Sequence, residues 1–349
     1  MRITRVLVPA PYDVALVEDE IPDEPGSGDV LVETEATFIS AGTELANYTA
    51  LDPTVHQPGA WNRYPWAAGY ANCGRVVAVG PGVEGFAIGE RVFSFGKHAS
   101  RHYQRPHDPN GMLVHVPDGI APDVAAASRM AGVAITALQT ATAHVYDWVA
   151  VFGLGLVGNL AAQFFTLAGA RVIGIDPMPE RRDLARRVGI PYVIGGSDDE
   201  VAGAVRDLAG PDGAFITVDA VGDSRVIEQA AALTAPLGEV ILLGSPRASY
   251  EADVTPIIRP VHWRWVTFKG ALEWKIPRHP TRGVRFSTET NIRRNFELIQ
   301  DSRLKIGELI SHRMRPDNIK QVYEGLLNEK SAYWGVVLDW VKGRRGISS

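Results

Sequence analysis

The chain has 349 residues, a length typical of two domains with sizeable cores rather than of one small module. Apolar residues make up 46% and charged residues 21%, values close to the globular average, which exclude extensive disorder and a fibrous repeat. The net charge of -5, without a basic block, argues against a nucleic-acid surface, so we expect a small-molecule ligand and no nucleic-acid partner.

The sequence has one cysteine, Cys73, which excludes an intramolecular disulfide and the cysteine-rich zinc frameworks. Residues 1–19 include Asp13 and Glu18 and lack the apolar core of a secretory signal, so we expect a cytoplasmic protein. Residues 148–170 carry no charge and are long enough to span a bilayer, but the glycines near their start favour a strand, a turn and a helix. We therefore expect no membrane partner.

The first third of the chain has the two-residue period of β-strands. Residues 30–36 alternate between one face with Val30 and Val32 and another with Glu33 and Glu35. Further short strands are predicted at 75–79 and 89–95, with a Gly-Pro-Gly turn between them. This regular spacing predicts a β-barrel or sandwich.

From about residue 122 strands and helices alternate. A helix-compatible, alanine-rich run at 125–143 is followed by predicted strands at 149–152, 171–175, 192–194, 214–220 and 240–243, with helices at 156–168, 179–188, 199–208 and 224–234. This alternation predicts an α/β domain with a doubly wound parallel sheet. After it come a basic loop at 275–285, helices at 291–301 and 316–328, a strand at 335–340 that could return to the barrel, and a loose tail at 343–349.

A dinucleotide-binding signal lies at the first strand of the doubly wound domain. The run Gly153-Leu154-Gly155-Leu156-Val157-Gly158 follows a strand and opens a helix, which suits a tight turn facing a pyrophosphate. Asp176 lies 21 residues after Gly155, where a carboxylate can accept hydrogen bonds from ribose hydroxyls. It would repel a 2'-phosphate and so favours NAD, although Arg181 and Arg182 keep NADP open. The alternative is that the glycines serve packing alone.

With these features the whole chain resembles the medium-chain dehydrogenase/reductase family, and residues 78–92 look like its barrel hairpin. The resemblance implies an α/β architecture in which a GroES-like β-barrel catalytic domain, completed by C-terminal residues, packs on a Rossmann domain with the active site between them. It divides the chain into a GroES-like part at 1–125, a Rossmann NAD(P)-binding domain at 126–272, and a part at 273–349 that returns to the catalytic domain. Relatives in the family are commonly dimers or tetramers, so a homodimer or homotetramer is expected.

The sequence departs from the family at the metal positions. In Ser40-Ala41-Gly42-Thr43-Glu44 the family's ligand cysteine is Ala41, and in Gly69-Tyr70-Ala71 its ligand histidine is Tyr70. The third ligand position, near 130–132, offers no good donor, and residues 94–111 lack the cysteines of a structural zinc lobe. The chain thus resembles the zinc-independent branch with a Ser-Ala-Gly-Thr-Glu motif, similar in that motif to bacteriochlorophyllide dehydrogenases, and no metal is expected.

The resemblance implies five catalytic candidates, each with a structural alternative. The Thr43 hydroxyl would contact substrate or cofactor, or cap a turn, and the Tyr70 phenol would donate to a carbonyl oxygen or pack in the core. His98 would act as acid or base, or be structural. The Glu44 carboxylate would orient a neighbouring side chain of the site, or stabilise the barrel. Lys275 would donate a proton or be a solvated surface residue.

Further residues are expected around a bound cofactor and substrate. Four match positions that line the nicotinamide half of the cofactor in the family: Thr136, Val221, Gly222 and Gly244. Asn72 and Trp274 would contact the substrate, which the polar residues suggest is a sugar, cyclitol or polyol. The sequence therefore predicts a zinc-independent NAD-dependent oxidoreductase that interconverts a secondary alcohol and a ketone. An enoyl or quinone reductase and a non-catalytic dinucleotide-binding scaffold stay open as alternatives.

Overall fold

The computed structural model describes residues 1–341, and the tail predicted at 343–349 lies outside the described residues. The chain divides into two compact units. The first contains Met1–Arg129, Ile276–Ser302 and the chain from Leu309 onward, and the second contains Met130–Lys275 with Arg303–Glu308.

The first unit begins with eight short strands, as the alternating pattern predicts. They are β1 (Arg2–Ala10), β2 (Asp13–Glu20), β3 (Val30–Phe38), β4 (Trp66–Ala67), β5 (Asn72–Val79), β6 (Arg91–Ser94), β7 (Arg101–Gln104) and β8 (Leu113–His115). Two helices accompany them, α1 (Ala41–Tyr48) and α2 (Pro122–Thr140), the latter running past the boundary between the units. β2, β1 and β4 form a small sheet, while β3 lies inside a larger one, antiparallel to β5 and β7.

The second unit is a six-stranded parallel sheet with helices between the strands. Its strands are β9 (Trp148–Phe152), β10 (Arg171–Ile175), β11 (Tyr192–Ile194), β12 (Ala214–Asp219), β13 (Thr234–Leu242) and β14 (Thr267–Gly270). Its helices are α3 (Leu156–Leu167), α4 (Pro179–Arg187), α5 (Asp198–Ala209), α6 (Ser224–Ala232) and α7 (Thr255–Arg264). The strand order β11-β10-β9-β12-β13-β14 confirms the predicted doubly wound sheet.

The C-terminal part of the chain returns to the first unit. It forms α8 (Thr288–Gln300), β15 (His312–Met314), α9 (Ile319–Asn328) and β16 (Val336–Asp339). β16 pairs antiparallel with β3, and the indole nitrogen of Trp340 donates a 3.0 Å hydrogen bond to the Thr37 hydroxyl. The predicted return of the last strand to the barrel is therefore confirmed.

Two helices, α1 and α7, are not among the elements predicted from the sequence. The segment of α7 contains Pro256 and Pro260, a residue type that disfavours the helix interior. Pro256 fits the first turn, where a missing N–H costs nothing, and Pro260 is buried inside the helix.

The long uncharged run at 148–170 is not a membrane span. It forms β9, the glycine turn and α3. Across residues 1–341, no helix combines the length and the apolarity needed to cross a bilayer.

Candidate active site

The glycine turn lies where the strand order of the second unit reverses, because β9 is flanked by β10 on one side and β12 on the other. Gly153 has φ +91°, and a Cβ there would lie 2.6 Å from Val221 Cγ2. A Cβ at Gly158 would lie 1.9 Å from the Gly153 carbonyl oxygen. At Gly155, by contrast, a Cβ would meet only the Arg181 Nη1 atom, at 3.9 Å. Gly153 and Gly158 thus serve the fold of the turn, whereas Gly155 leaves room for a ligand.

Asp176 follows β10 and braces this turn. Its side chain is buried, and its carboxylate accepts hydrogen bonds from the amides of Leu154 (2.8 Å) and Met178 (2.9 Å). Arg181 Nη1 lies 3.6 Å from the same carboxylate, and the buried Arg181 Nε has no hydrogen-bond partner within residues 1–341. Arg182 donates to the backbone oxygens of Asp176 and Pro177. An unsatisfied guanidinium donor beside the open position at Gly155 fits a ligand with acceptor oxygens.

The other predicted cofactor residues lie at the same strand ends or along α2 and α3. Val221 is 53% exposed, and its amide and that of Gly222 donate to the Asp219 carboxylate. A Cβ at Gly244 would lie 2.2 Å from the Gly222 nitrogen, so these two backbones require glycine. Leu154 is buried, Leu156 and Val157 begin α3, and the buried Thr136 hydroxyl donates to the backbone oxygen of Ala271 (2.7 Å). Their contact with a cofactor stays a prediction.

A buried carboxylate organises the candidate site of the first unit. Glu44 lies in the first turn of α1, with no exposed side-chain area, and accepts hydrogen bonds from the Ser40 amide (2.7 Å) and the Tyr323 hydroxyl (2.6 Å). His98 Nε2 lies 3.1 Å from the same carboxylate. Burial alone would raise the pKa of Glu44, but His98, Tyr323 and Ser40 together lower it. The carboxylate is therefore held as an anion.

Tyr70 presents its phenol to the same end of α1. Its hydroxyl donates a short hydrogen bond to the Ser40 hydroxyl and lies 3.3 Å from that of Thr43. The Arg129 guanidinium carbon lies 5.0 Å from the centre of the Tyr70 ring. Burial raises the pKa of Tyr70, and Glu44 adds to this, while Arg129 and the two hydroxyls oppose it. Tyr70 and Thr43 are partly exposed, whereas Glu44 and His98 are fully buried.

The structure brings together Thr43, Glu44, Tyr70 and His98 within the first unit. Asn72 is fully buried in β5, and its amide donates to the Thr34 hydroxyl (3.0 Å) and to the Lys97 carbonyl oxygen (3.1 Å). Trp274 and Lys275 lie in the second unit, exposed on a 3₁₀ helix after β14. The catalytic or substrate roles of these residues stay predictions.

Five residues of these sites carry no predicted role: Ser40, Lys97, Arg129, Asp219 and Tyr323. Ser40 is the first residue of the Ser-Ala-Gly-Thr-Glu motif and Asp219 lies near the end of a predicted strand, so the sequence offered a local signal for both. Burial raises the pKa of Asp219, while the hydrogen bonds that its carboxylate accepts from two backbone amides oppose this rise. Lys97 is exposed as a residue, but the protein around its amine lowers the pKa of that amine. The negative charge of Glu44 acts in the opposite direction and raises the pKa. Tyr323 is 279 residues from Glu44 along the chain, so no sequence pattern could pair them.

The donor chemistry for a metal ion is sparse. In the part of the chain that the structure describes, no three His, Cys, Asp or Glu side chains come together as a metal-binding group. Ala41, at the first of the family's ligand positions, offers no donor, and the Tyr70 hydroxyl at the second bonds to Ser40.

Comparison with known proteins matches both halves of the chain to family models. Residues 26–146 match the alcohol dehydrogenase GroES-like domain, and residues 157–272 match the zinc-binding dehydrogenase model. An L-threonine 3-dehydrogenase from Pyrococcus furiosus is 27% identical over 348 aligned residues, covering 90% of this chain and 92% of the relative. A D-guloside 3-dehydrogenase from Escherichia coli K12 is 26% identical over 206 residues, covering 54% of this chain and 59% of the relative.

Solved structures share the fold. An alcohol dehydrogenase from Escherichia coli CFT073, solved in complex with NADH, superposes with a TM-score of 0.79 at 17% identity, covering 97% of this chain and 99% of the other. At this identity the likeness shows the fold alone, a GroES-like barrel unit and a Rossmann-like parallel sheet.

The Tyr323 hydroxyl should contribute stability through Glu44. Replacing it, Tyr323→Phe, leaves a buried anion with one donor fewer, and we expect the free energy of unfolding at pH 7 to fall by about 2 kcal/mol. Because the pKa of Glu44 is lowered in the folded state, its contribution is fully present above its unfolded pKa of about 4.3 and is lost as the pH falls through the folded pKa. Urea unfolding at a series of pH values should show the deficit shrinking in acid.

Tyr333→Phe is the matched control, because Tyr333 is 9% exposed in the same core cluster and its hydroxyl makes no hydrogen bond to residues 1–341. Its loss should be small and independent of pH. Equal losses in both variants, or a Tyr323→Phe deficit that is unchanged in acid, would contradict the assigned role of Glu44.

Proposed function

Because the matches to both domain models indicate the medium-chain dehydrogenase/reductase family, we propose that this protein is an NAD-dependent oxidoreductase that interconverts a secondary alcohol and a ketone. The observation that carries the proposal is the glycine turn at the switch point, where Gly155 leaves open space beside an unsatisfied Arg181 donor. Both curated relatives are named for dehydrogenation at carbon 3, a secondary position in each named substrate, which supports this reaction class.

The turn has the features that hold a dinucleotide. The open approach at Gly155 and the N-terminus of α3 suit a pyrophosphate, and Arg181 offers a donor to it or to the adjacent ribose. The buried Asp176 carboxylate favours ribose hydroxyls and disfavours a 2'-phosphate, which supports NAD over NADP. When bound, the nicotinamide supplies the acceptor or donor of the hydride.

We propose that proton transfer in this protein proceeds without zinc. Two of the family's ligand positions hold Ala41 and Tyr70, and the Glu44 carboxylate is already engaged by Ser40, Tyr323 and His98. The hydroxyls of Tyr70, Ser40 and Thr43 form a continuous hydrogen-bonded path that can move a proton. We propose that Glu44 orients His98 beside this path and that Lys275 is a further candidate proton donor.

The proposed substrate is a polar sugar, cyclitol or polyol. The D-guloside 3-dehydrogenase among the relatives supports a carbohydrate-like class. The exposed Trp274 is proposed as a substrate contact, because an aromatic face suits the apolar side of a sugar ring. We further propose that the protein is cytoplasmic and forms a homodimer or a homotetramer.

Turnover and metal content test the proposal directly. We expect NAD reduction with members of a polyol and cyclitol panel, zinc far below one ion per chain in the purified protein, and no loss of rate with a chelator. Stoichiometric zinc would overturn the metal-free mechanism. Reduction of enones with NADPH in place of alcohol oxidation would favour the enoyl or quinone reductase, and tight NAD binding without turnover of any substrate would favour the scaffold.

The glycine turn offers a pair of variants that separate binding from folding. Gly155→Ala points a methyl group into open space and should cost less than about 1 kcal/mol of stability, while weakening NAD about tenfold because it blocks the approach of the pyrophosphate. Gly158→Ala clashes with the Gly153 carbonyl and should cost about 3 kcal/mol of stability. Thermal unfolding and NADH fluorescence titration measure the two effects. Unchanged NAD affinity in Gly155→Ala would refute this placement of the cofactor.

The role of Asp176 predicts a change in cofactor preference. Asp176→Ser removes the acceptor for ribose hydroxyls and should weaken NAD about tenfold, and NADP less, because the repulsion of a 2'-phosphate is relieved. The ratio of the two dissociation constants is the measurement. Asp183→Ser, at an exposed acid of α4, should leave the ratio unchanged. An equal loss for both cofactors in Asp176→Ser would argue against the NAD preference.

A further inference from the structure

Arg129 is the largest fully buried side chain among residues 1–341, with 1% of its surface exposed. It lies in α2, and its guanidinium carbon is 4.5 Å from the centre of the Phe95 ring and 5.0 Å from that of Tyr70. A guanidinium keeps its charge at every physiological pH, and taking that charge out of water is costly. A fixed positive charge therefore lies over the phenol of Tyr70, in surroundings where charges interact strongly.

The Tyr70 phenol lies between opposite charges. Burial, with a smaller contribution from Glu44, disfavours its ionised form, while Arg129 and the hydroxyls of Ser40 and Thr43 favour it. A guanidinium centred over a phenol ring is within about 6 Å of the phenol oxygen, close enough for an opposite charge to lower a pKa by 1 unit or more.

Other titratable groups of the first unit lie around this pair. The segment between β6 and β7 contributes Lys97 and His98, and both interact with Glu44. Arg278, from the segment after Ile276, lies 4.5 Å from the centre of the Phe95 ring. Tyr323, from α9, donates a hydrogen bond to Glu44. The Arg129 guanidinium lies over the ring of Tyr70 itself.

We propose that Arg129 is the fixed positive charge that makes Tyr70 the acid and base of this site. The inference rests on the proposed function and names the group that exchanges the proton with substrate. Arg129 is a positioning residue, because it acts through Tyr70. His98 is less suited to exchange the proton, since its Nε2 faces Glu44 and its ring has no exposed surface, whereas Tyr70 is half-buried.

The proton step balances as follows in the direction of ketone reduction. The O–H bond of Tyr70 would break and its proton would pass to the carbonyl oxygen, giving the alcohol and a phenolate, while a bound reduced nicotinamide would supply the hydride to the carbonyl carbon. Arg129 stabilises this phenolate, and the Ser40 hydroxyl turns to donate to it. In alcohol oxidation the phenolate takes the alcohol proton. A metal ion would place positive charge beside the developing alkoxide. In this proposal the positive charge of Arg129, next to the proton donor Tyr70, takes its place.

The titration of Tyr70 tests this inference without substrate or cofactor. The chain has 10 tyrosines, and the difference in ultraviolet absorbance between the parent protein and Tyr70→Phe isolates the tyrosinate signal of Tyr70. In Arg129→Gln the pKa of Tyr70 should rise by about 1 unit or more, because the cation is lost. Arg129→Lys removes the planar guanidinium but keeps the positive charge. In this variant the pKa of Tyr70 should rise by less than half as much as in Arg129→Gln. Arg129→Met replaces the Gln variant if that variant does not fold.

Arg278→Gln is the matched control. It removes a second guanidinium from the Phe95 ring, so it should shift the Tyr70 titration much less than Arg129→Gln does. The pH profile of kcat for alcohol oxidation is the second readout. Its rising limb should move to higher pH in Arg129→Gln by the same amount as the titration, and Tyr70→Phe should abolish the limb.

An unchanged Tyr70 titration in Arg129→Gln would overturn the inference, as would equal shifts in the Gln and Lys variants or in Arg129→Gln and Arg278→Gln. Turnover of an alcohol with any of these results would leave the proposed function standing while the inference fails. Conversely, the expected titration shifts in a protein that turns over no alcohol or ketone would uphold the coupling of Arg129 to Tyr70 and refute the proposed function.

Discussion

A carboxylate buried away from water needs hydrogen-bond donors around it. Several segments of the first unit supply such donors to Glu44. The amide of Ser40 comes from the start of α1, His98 from the segment between β6 and β7, and the Tyr323 hydroxyl from α9. Three parts of the chain far apart in sequence are thus held to one point. The cost of leaving a buried anion unpaired makes this arrangement cooperative, because removing any donor leaves the charge for the others to satisfy.

The second unit meets a similar requirement with Asp176. Its carboxylate accepts the Leu154 amide inside the glycine turn and the Met178 amide just before α4, so it holds the ends of β9 and β10 in register. In each unit a buried acid fixes the backbone where a helix begins. The difference is that the Asp176 turn is left open on the side of Gly155 and Arg181, whereas Glu44 is enclosed and the adjacent Tyr70 reaches outward.

In the proposed mechanism, side chains around Tyr70 take over the tasks of a metal ion. Zinc combines charge and open coordination at one point. Under the proposal the two tasks fall to different groups: Arg129 would supply the positive charge, and Tyr70 would supply the proton. The aromatic rings of Phe95 and Tyr70 pack against the Arg129 guanidinium, whose carbon lies 4.5 Å and 5.0 Å from the two ring centres.

Local patterns in the sequence determined the doubly wound unit. The strands at Arg171–Ile175 and Tyr192–Ile194 have the predicted bounds, and the Gly153 turn with Asp176 lies where the motif places it. These features depend on residues close together in the chain, such as strand periodicity and the need for positive φ at Gly153. The helix at Ala41–Tyr48, the bond from Tyr323 to Glu44 and the stacking of Arg129 on Tyr70 were decided by the tertiary structure alone. They join segments up to 279 residues apart, and the free energy that selects them comes from burying charges and rings together, which no local pattern encodes.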